Sequence, residues 1–309
     1  MENLTVVTEF TLEGLSNNPQ LHNLLFVVFL IIYFITLVAN MTIILVTGAD
    51  PHLHTPMYFF LSHLSFVDIC YSSVTVPKML ENLVAKKTIS ASGCIAQMFF
   101  IIMLACTEIL ILSVMAYDRY AAICLPLHYL ETMNKKMCNQ MIVGAWVVSF
   151  LHALINTLPV SALHFCGPNR VSNFSCELPP LLLLSCSDIL VNEIVLLASL
   201  VMFVMSASIL TLVSYVHILF TILKIPSTED RSKAFSTCSS HLIVVSLFYV
   251  TGFFRYMKPA SGYSLERDQL VGVLYSILTP TFNPLIYRLW NKEVKLAVRR
   301  IMGNRMHLR

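Results

Sequence analysis

A run of 25 residues without a single charge, LLFVVFLIIYFITLVANMTIILVTG at 24–48, is the first of seven apolar stretches in this 309-residue chain. The others start near residues 57, 95, 141, 194, 235 and 270; the second holds only Asp68 and the third only Glu108. A helix rises about 1.5 Å per residue, so roughly 20 residues cross the ~30 Å hydrocarbon core of a bilayer. Charged residues make up 12% of the chain, about half the share expected of a soluble domain. The expected fold is an all-α membrane protein, a seven-transmembrane helix bundle.

Seven crossings put the termini on opposite sides, and the basic residues say which is which. Arg119, Lys135, Lys136, Lys224, Arg231, Lys233, Arg288, Lys292, Lys295, Arg299, Arg300, Arg305 and Arg309 fall on one side, 13 of the 20 Lys and Arg. By the positive-inside rule that side is cytoplasmic. The expected organisation is an extracellular N-terminus over 1–23 and a seven-helix domain over 24–290. Its helices are placed at about 24–48, 57–79, 94–121, 141–163, 194–223, 235–257 and 269–289. A cytoplasmic tail follows over 291–309. There Val294, Leu296, Val298 and Ile301 lie among basic residues, as in a short amphipathic helix held by anionic membrane lipids. The opening MENLTVVTEF has no basic region followed by an apolar core, so the first helix is expected to direct insertion.

Two sequons, Asn3-Leu-Thr and Asn173-Phe-Ser, fall outside in this topology and are expected glycosylation sites. Of nine cysteines, Cys94, Cys166, Cys176 and Cys186 lie on the oxidising side. Four cysteines allow three pairings, and spacing alone leaves all three open. Three of them fall between the fourth and fifth runs, which suggests a pinned lid.

A carboxylate at the centre of a membrane helix costs roughly 2.5–3.5 kcal/mol. Asp68 and Glu108 therefore need water, a cation or polar partners in the bundle interior. Helical positions 11 apart nearly superpose, so Glu108 and Arg119 share a face with Ile101, Ala105 and Leu112. That face reads apolar wall, acid, then arginine, and it also suits a structural network between helices.

At 115–124 stands MAYDRYAAIC, which resembles the third-helix signature of odorant receptors within the rhodopsin-like G-protein-coupled receptors. PHLHTPMYFFLSHLSFVD at 51–68 is similar to their second-helix signature, and SY at 214–215 to the end of the fifth helix. KAFSTCSSHL at 233–242 resembles the sixth, in its class II (tetrapod-type) form, and NPLIY at 283–287 the seventh. Five signatures in order cover essentially the whole chain. Departures are Val250, Phe282, Arg288 and Trp290, which touch the tuning of activation rather than the fold.

The resemblance implies a receptor for small, mostly neutral volatile odorants that activates a stimulatory, olfactory-type heterotrimeric G protein and raises cAMP. It implies a multi-pass plasma-membrane protein of sensory cilia. Asp118, Arg119 and Tyr120 would form a latch, toward which Tyr215 and Tyr287 swing on activation, with Lys233, Asn283 and Pro284 taking part. Asp68 and Glu108 resemble the family's sodium-site pair, with Asn40, Ser113 and Asn283 as neighbours. Two facing carboxylates in low dielectric share a proton or bind a cation, and sodium is the expected occupant; no cofactor is required.

By the same analogy the ligand meets Ile101, Ile102, Ala105, Cys106 and Ile109 on the third helix, and Ser199 and Phe203 on the fifth. Tyr249, Gly252 and Tyr256 on the sixth and Ser276 on the seventh complete the set. No carboxylate stands at this level of the third helix, so an amine would find no ion pair. An apolar pocket with a few hydroxyls suits neutral volatiles. Burying ~250 Å² at ~25 cal/mol/Å² gains about 6 kcal/mol before ordering costs, so micromolar affinity or weaker is expected. Thiol-sensing relatives carry a histidine where Asn173 stands, so a metal-assisted variant lacks a ligand. The chain has no H-E-x-x-H, G-x-S-x-G or P-loop pattern, and no inverted repeat, which argues against an enzyme or a transporter. Nucleic acid is not an expected partner. The alternative is a rhodopsin-like receptor for a lipid-like or metabolite ligand.

Overall fold

The computed structural model describes residues 7–13, 19–85, 87–166, 169–171, 173–256, 272–290 and 292–306. Asn3 lies outside these residues, and the side chains of Lys233 and Tyr256 lie outside the description.

The first six apolar runs become helical segments that start before them, and the described part of the seventh is helical from residue 272. Helix α1 spans Pro19–Ala49, α2 Pro56–Val84 and α3 Ala91–Cys124. A short α4, Tyr129–Thr132, precedes α5, Lys135–Ser161. After a short α6, Leu178–Leu182, helix α7 covers Leu190–Ser199. It runs through a π-helical turn, Leu200–Met205, into α8, Ser206–Leu223. Helix α9 is Thr228–Tyr256, and a second π turn, Leu274–Leu278, leads into α10, Thr279–Trp290. Helix α11, Lys292–Met306, closes the chain.

Starts are set by local chemistry. Ser90 caps α3 by accepting from the Gly93 amide at 3.1 Å, and Asn134 caps α5 by accepting from Met137 at 2.9 Å; each satisfies one of the donors a helix start leaves unpaired. At Gly93 a Cβ would fall 2.9 Å from that capping Ser90 oxygen, so the absence of a side chain is what lets the cap close.

Among the described residues, five helical stretches are long and apolar enough to cross a membrane: Leu21–Ala49, Pro56–Val84, Ala91–Cys124, Lys135–Ser161 and Leu190–Leu223. Within α9 the apolar part is shorter, Cys238–Gly252, because its first turns, TEDRSK, are polar. Large apolar side chains such as Phe34, Leu45 and Leu212 face outward, more than 60% exposed; in lipid this surface needs no protein cover. The interior gathers on α3, which packs against α2, α5, α8 and α9. Leu64, Val67, Ile111, Leu112, Met115 and Tyr287 are buried together at its centre.

At one end, here the lid end, the chain start becomes part of the fold. Strand β1, Glu9–Leu12, pairs antiparallel with β2, Thr88–Ser90, and parallel with β3, Arg170–Val171. Phe10 and Leu12 are fully buried, and Phe10 meets Phe165 edge-on at 5.2 Å. Of this three-stranded cover, β1 lies within residues 1–23, the stretch expected to be an extracellular N-terminus.

Candidate functional site

The lid is pinned where the cysteines suggested, and geometry chooses the pairing. Cys94 at the start of α3 bonds Cys176, Cα–Cα 5.3 Å, and Cys166 bonds Cys186, Cα–Cα 6.0 Å. Gln97 reinforces the first bridge: its carbonyl accepts from the Cys176 amide at 3.0 Å, and its amide donates to the Val74 carbonyl at 3.0 Å. Asn173, an expected glycosylation site, is 2% exposed; its amide donates to Glu177 at 2.9 Å and its carbonyl accepts from the Phe174 amide at 2.9 Å.

Midway down the bundle, Asp68 of α2 and Glu108 of α3 are brought together by Asn283 of α10. The Asn283 amide donates to both Asp68 oxygens at 3.2 Å and to Glu108 Oε1 at 3.1 Å. All three residues are buried, and the Asn283 carbonyl has no hydrogen-bond partner among the described residues. One amide cannot neutralise two carboxylates. The four carboxylate oxygens are the hard donors that a small cation takes, so these residues fit a sodium ion. Of the expected neighbours, only Asn283 touches the acids. Asn40 donates to the Thr36 and Pro280 carbonyls, each at 3.1 Å. Ser113 is turned toward α8, bonding the Ala207 carbonyl at 3.3 Å and the Thr211 hydroxyl at 3.2 Å.

At the other end, the latch end, Asp118 is fully buried and Arg119 is 12% exposed. Arg119 donates to Asp118 Oδ2 through Nε at 2.9 Å and through Nη2. The second carboxylate oxygen accepts from the Tyr129 hydroxyl of α4 at 2.8 Å. Burial first, then the Asp118 charge, push that hydroxyl well above its ordinary pKa, so it stays a donor. Tyr215 of α8 stacks on His241 of α9 at 5.7 Å and hydrogen-bonds its Nδ1. Tyr287 is buried in the core, with no partner for its hydroxyl among the described residues. Tyr120 packs beside Ile218, Ile222 and Cys238. Pro284 lies inside α10.

Sequence reasoning missed Tyr129 and His241. His241 stood inside the quoted KAFSTCSSHL motif; Tyr129 followed the Asp-Arg-Tyr stretch by only a few residues. Neither partnership could be read without knowing which turn of which helix faces them. A third omission is Asp50, which joins the end of α1 to α11. It accepts from Arg300 Nε at 2.9 Å and Nη2 at 2.8 Å, and from His52 Nδ1 at 2.9 Å.

Among the expected ligand contacts, Ile101, Cys106, Ile109, Ser199 and Ser276 are buried, while Ile102, Ala105, Phe203, Tyr249 and Gly252 are half-buried. Ser276 receives a long hydrogen bond from Tyr71 at 3.5 Å. The Tyr249 hydroxyl is buried without a partner among the described residues.

Residues 29–305 match the sequence model of the olfactory receptor family. The chain belongs to the olfactory receptor family. It is 47% identical to human (Homo sapiens) olfactory receptor 1F1 over 302 residues, 97% of each chain. It is 50% identical to mouse (Mus musculus) olfactory receptor 5AP2 over 304 residues, 98% of this chain and 96% of that one. The solved structure of squid rhodopsin superposes with a TM-score of 0.75 at 16% identity, covering 92% of this chain and 81% of that one. The seven-helix fold expected from the apolar runs, and its rhodopsin-like form expected from the motif resemblance, are thereby established. As an olfactory receptor, the protein is a multi-pass membrane receptor and not an enzyme.

Proposed function

We propose that this olfactory receptor binds a small, mostly neutral volatile between the lid and the acid centre, and passes the signal to a stimulatory G protein that raises cAMP. The latch carries this reading. Asp118 holds Arg119 on one oxygen and Tyr129 on the other, so the arginine is committed inside the bundle. Releasing it would present a cation at the cytoplasmic mouth, where a partner helix binds. A ligand shifts such an equilibrium only by its difference in affinity for the two states. Beside the latch, Leu127 and Leu130 are 93% and 84% exposed. Apolar side chains at the cytoplasmic surface suit a protein partner, and the G protein is the partner that fits.

Sodium, when bound, supplies the positive charge that two buried carboxylates need; the Asp68 and Glu108 carboxylates would hold it. The chain's own contribution is the bridging Asn283 amide, which keeps α2, α3 and α10 in register.

The test is a cAMP reporter in cells carrying the receptor, screened with volatiles and with fatty acids, and repeated with Arg119→Ala. Volatile-evoked cAMP that disappears in R119A at equal surface level is expected. A response only to fatty acids, or a normal response in R119A, would sink the proposal.

A further inference from the structure

Helix α5 was assigned no part in the ligand wall, yet its stripe Ser149, His152, Asn156 faces α3 and α7. Ser149 is fully buried and lies beside the Cys106 thiol of α3. The His152 ring packs on Phe203 at 4.5 Å between centroids. Asn156 is 3% exposed and spends its amide on the His152 carbonyl at 2.9 Å and the Ser199 hydroxyl at 3.0 Å. The stripe therefore abuts three of the residues expected to touch ligand: Cys106, Ser199 and Phe203.

Its polar inventory is incomplete. Both His152 nitrogens and the Asn156 carbonyl oxygen are buried without a hydrogen-bond partner among the described residues. In the hydrocarbon layer such groups are costly to leave unmade. A neutral imidazole has one donor and one acceptor nitrogen, and an amide oxygen only accepts. His152 and Asn156 thus offer two acceptors and one donor, beside the Ser149 hydroxyl, which is also buried without a partner among the described residues. Directly opposite, the chain leaves α-helical geometry in the Leu200–Met205 turn. A π turn shifts the phase of the residues around it and recurs at functional sites; here it sets Phe203 against His152.

We infer that His152 and Asn156 form a polar subsite of the odorant cavity that selects hydroxyl-bearing volatiles, alcohols or phenols. A hydroxyl donates to one of the two acceptors and accepts from the imidazole N–H. A ketone, ester or ether can only accept, and an alkane does neither. This rests on the odorant-receptor reading above and deepens it by naming the ligand class.

The experiment uses the full-length receptor in a cAMP reporter, with surface level measured in parallel. Probes are straight-chain alcohols together with the methyl ketone, methyl ether and alkane of matched length, and phenol against anisole. The alcohols and phenol should act at roughly tenfold lower concentration than their ethers, the size of effect that one buried hydrogen bond supports. His152→Phe keeps a planar ring and Asn156→Leu keeps bulk; together they should erase the hydroxyl preference, the alcohols losing more potency than their matched ethers. Equal potency of alcohol and ether in the unaltered receptor overturns the subsite while leaving the odorant-receptor reading intact. So does a preference that survives both substitutions. Silence toward every volatile at normal surface level overturns the receptor reading, and the subsite with it.

Discussion

Asp118 stands buried at the latch, and its hydrogen bonds decide how firmly it is held. The Tyr129 hydroxyl donates to a carboxylate already paired with Arg119, and a hydrogen bond to a charged group contributes about 1.5–3 kcal/mol. Tyr129→Phe removes it and keeps the ring. Ligand-free cAMP, measured at matched surface level, should therefore rise in Y129F, because the closed arrangement loses a partner the open one does not need. Asp50 is the corresponding anchor for α11. Burial raises its pKa, but the His52 backbone and ring and the Arg300 guanidinium together outweigh burial and leave it below the usual carboxylate range. A depressed pKa stabilises above the ordinary value near ~4 and is lost only as pH falls through the lower folded value. A spin-label distance between α11 and the α1–α2 link should thus hold from neutral pH down to about 4. In Asp50→Asn it should lengthen already at neutral pH; an unchanged distance in D50N would refute the anchor. None of these pairings was legible beforehand, since Asp50 and Arg300 are joined only when α11 folds back beneath α1.

Among elements, the lid departs most from its sequence reading. Residues 1–23 were read as an extracellular N-terminus with no structure of its own assigned, and Glu9–Leu12 is a strand with Phe10 and Leu12 buried. The alternation of buried and exposed residues there is only four positions long, too short to distinguish a strand from a tail. Truncating a large buried aromatic costs about 3–5 kcal/mol. Phe10→Ala should accordingly lower the unfolding temperature of purified receptor and reduce surface expression, whereas Leu127→Ala, at an exposed position, should leave both unchanged and lower only the cAMP response. The four lid cysteines stood out as a group in the sequence, but only the fold brought Cys94 to Cys176 and Cys166 to Cys186. The burial of Asn173 was not legible either, because a tripeptide pattern carries no information on it. Glycosidase treatment should shift the mass of the unaltered receptor and of Asn173→Gln alike, and leave Asn3→Gln unshifted.

For the whole molecule, topology is the property on which signalling depends. Epitope tags should be read from outside the cell at the N-terminus and only after permeabilisation at the C-terminus; two tags on one side would break the seven-helix arrangement. What the sequence determined by itself was the solvent and the fold class. Runs of about 20 apolar residues have one cheap solution in a bilayer, and basic residues bias orientation without any tertiary contact. It also marked Asp68, Glu108, Asp118 and Arg119, because charge near lipid is rare enough to stand out. What only the tertiary structure decided was partnership. Asn283 reaches Asp68 across 215 residues and Glu108 across 175, Tyr215 finds His241, and Asn156 finds Ser199. Such contacts depend on the rotation and depth of one helix against another, which packing of the assembled bundle sets and local sequence periodicity leaves free.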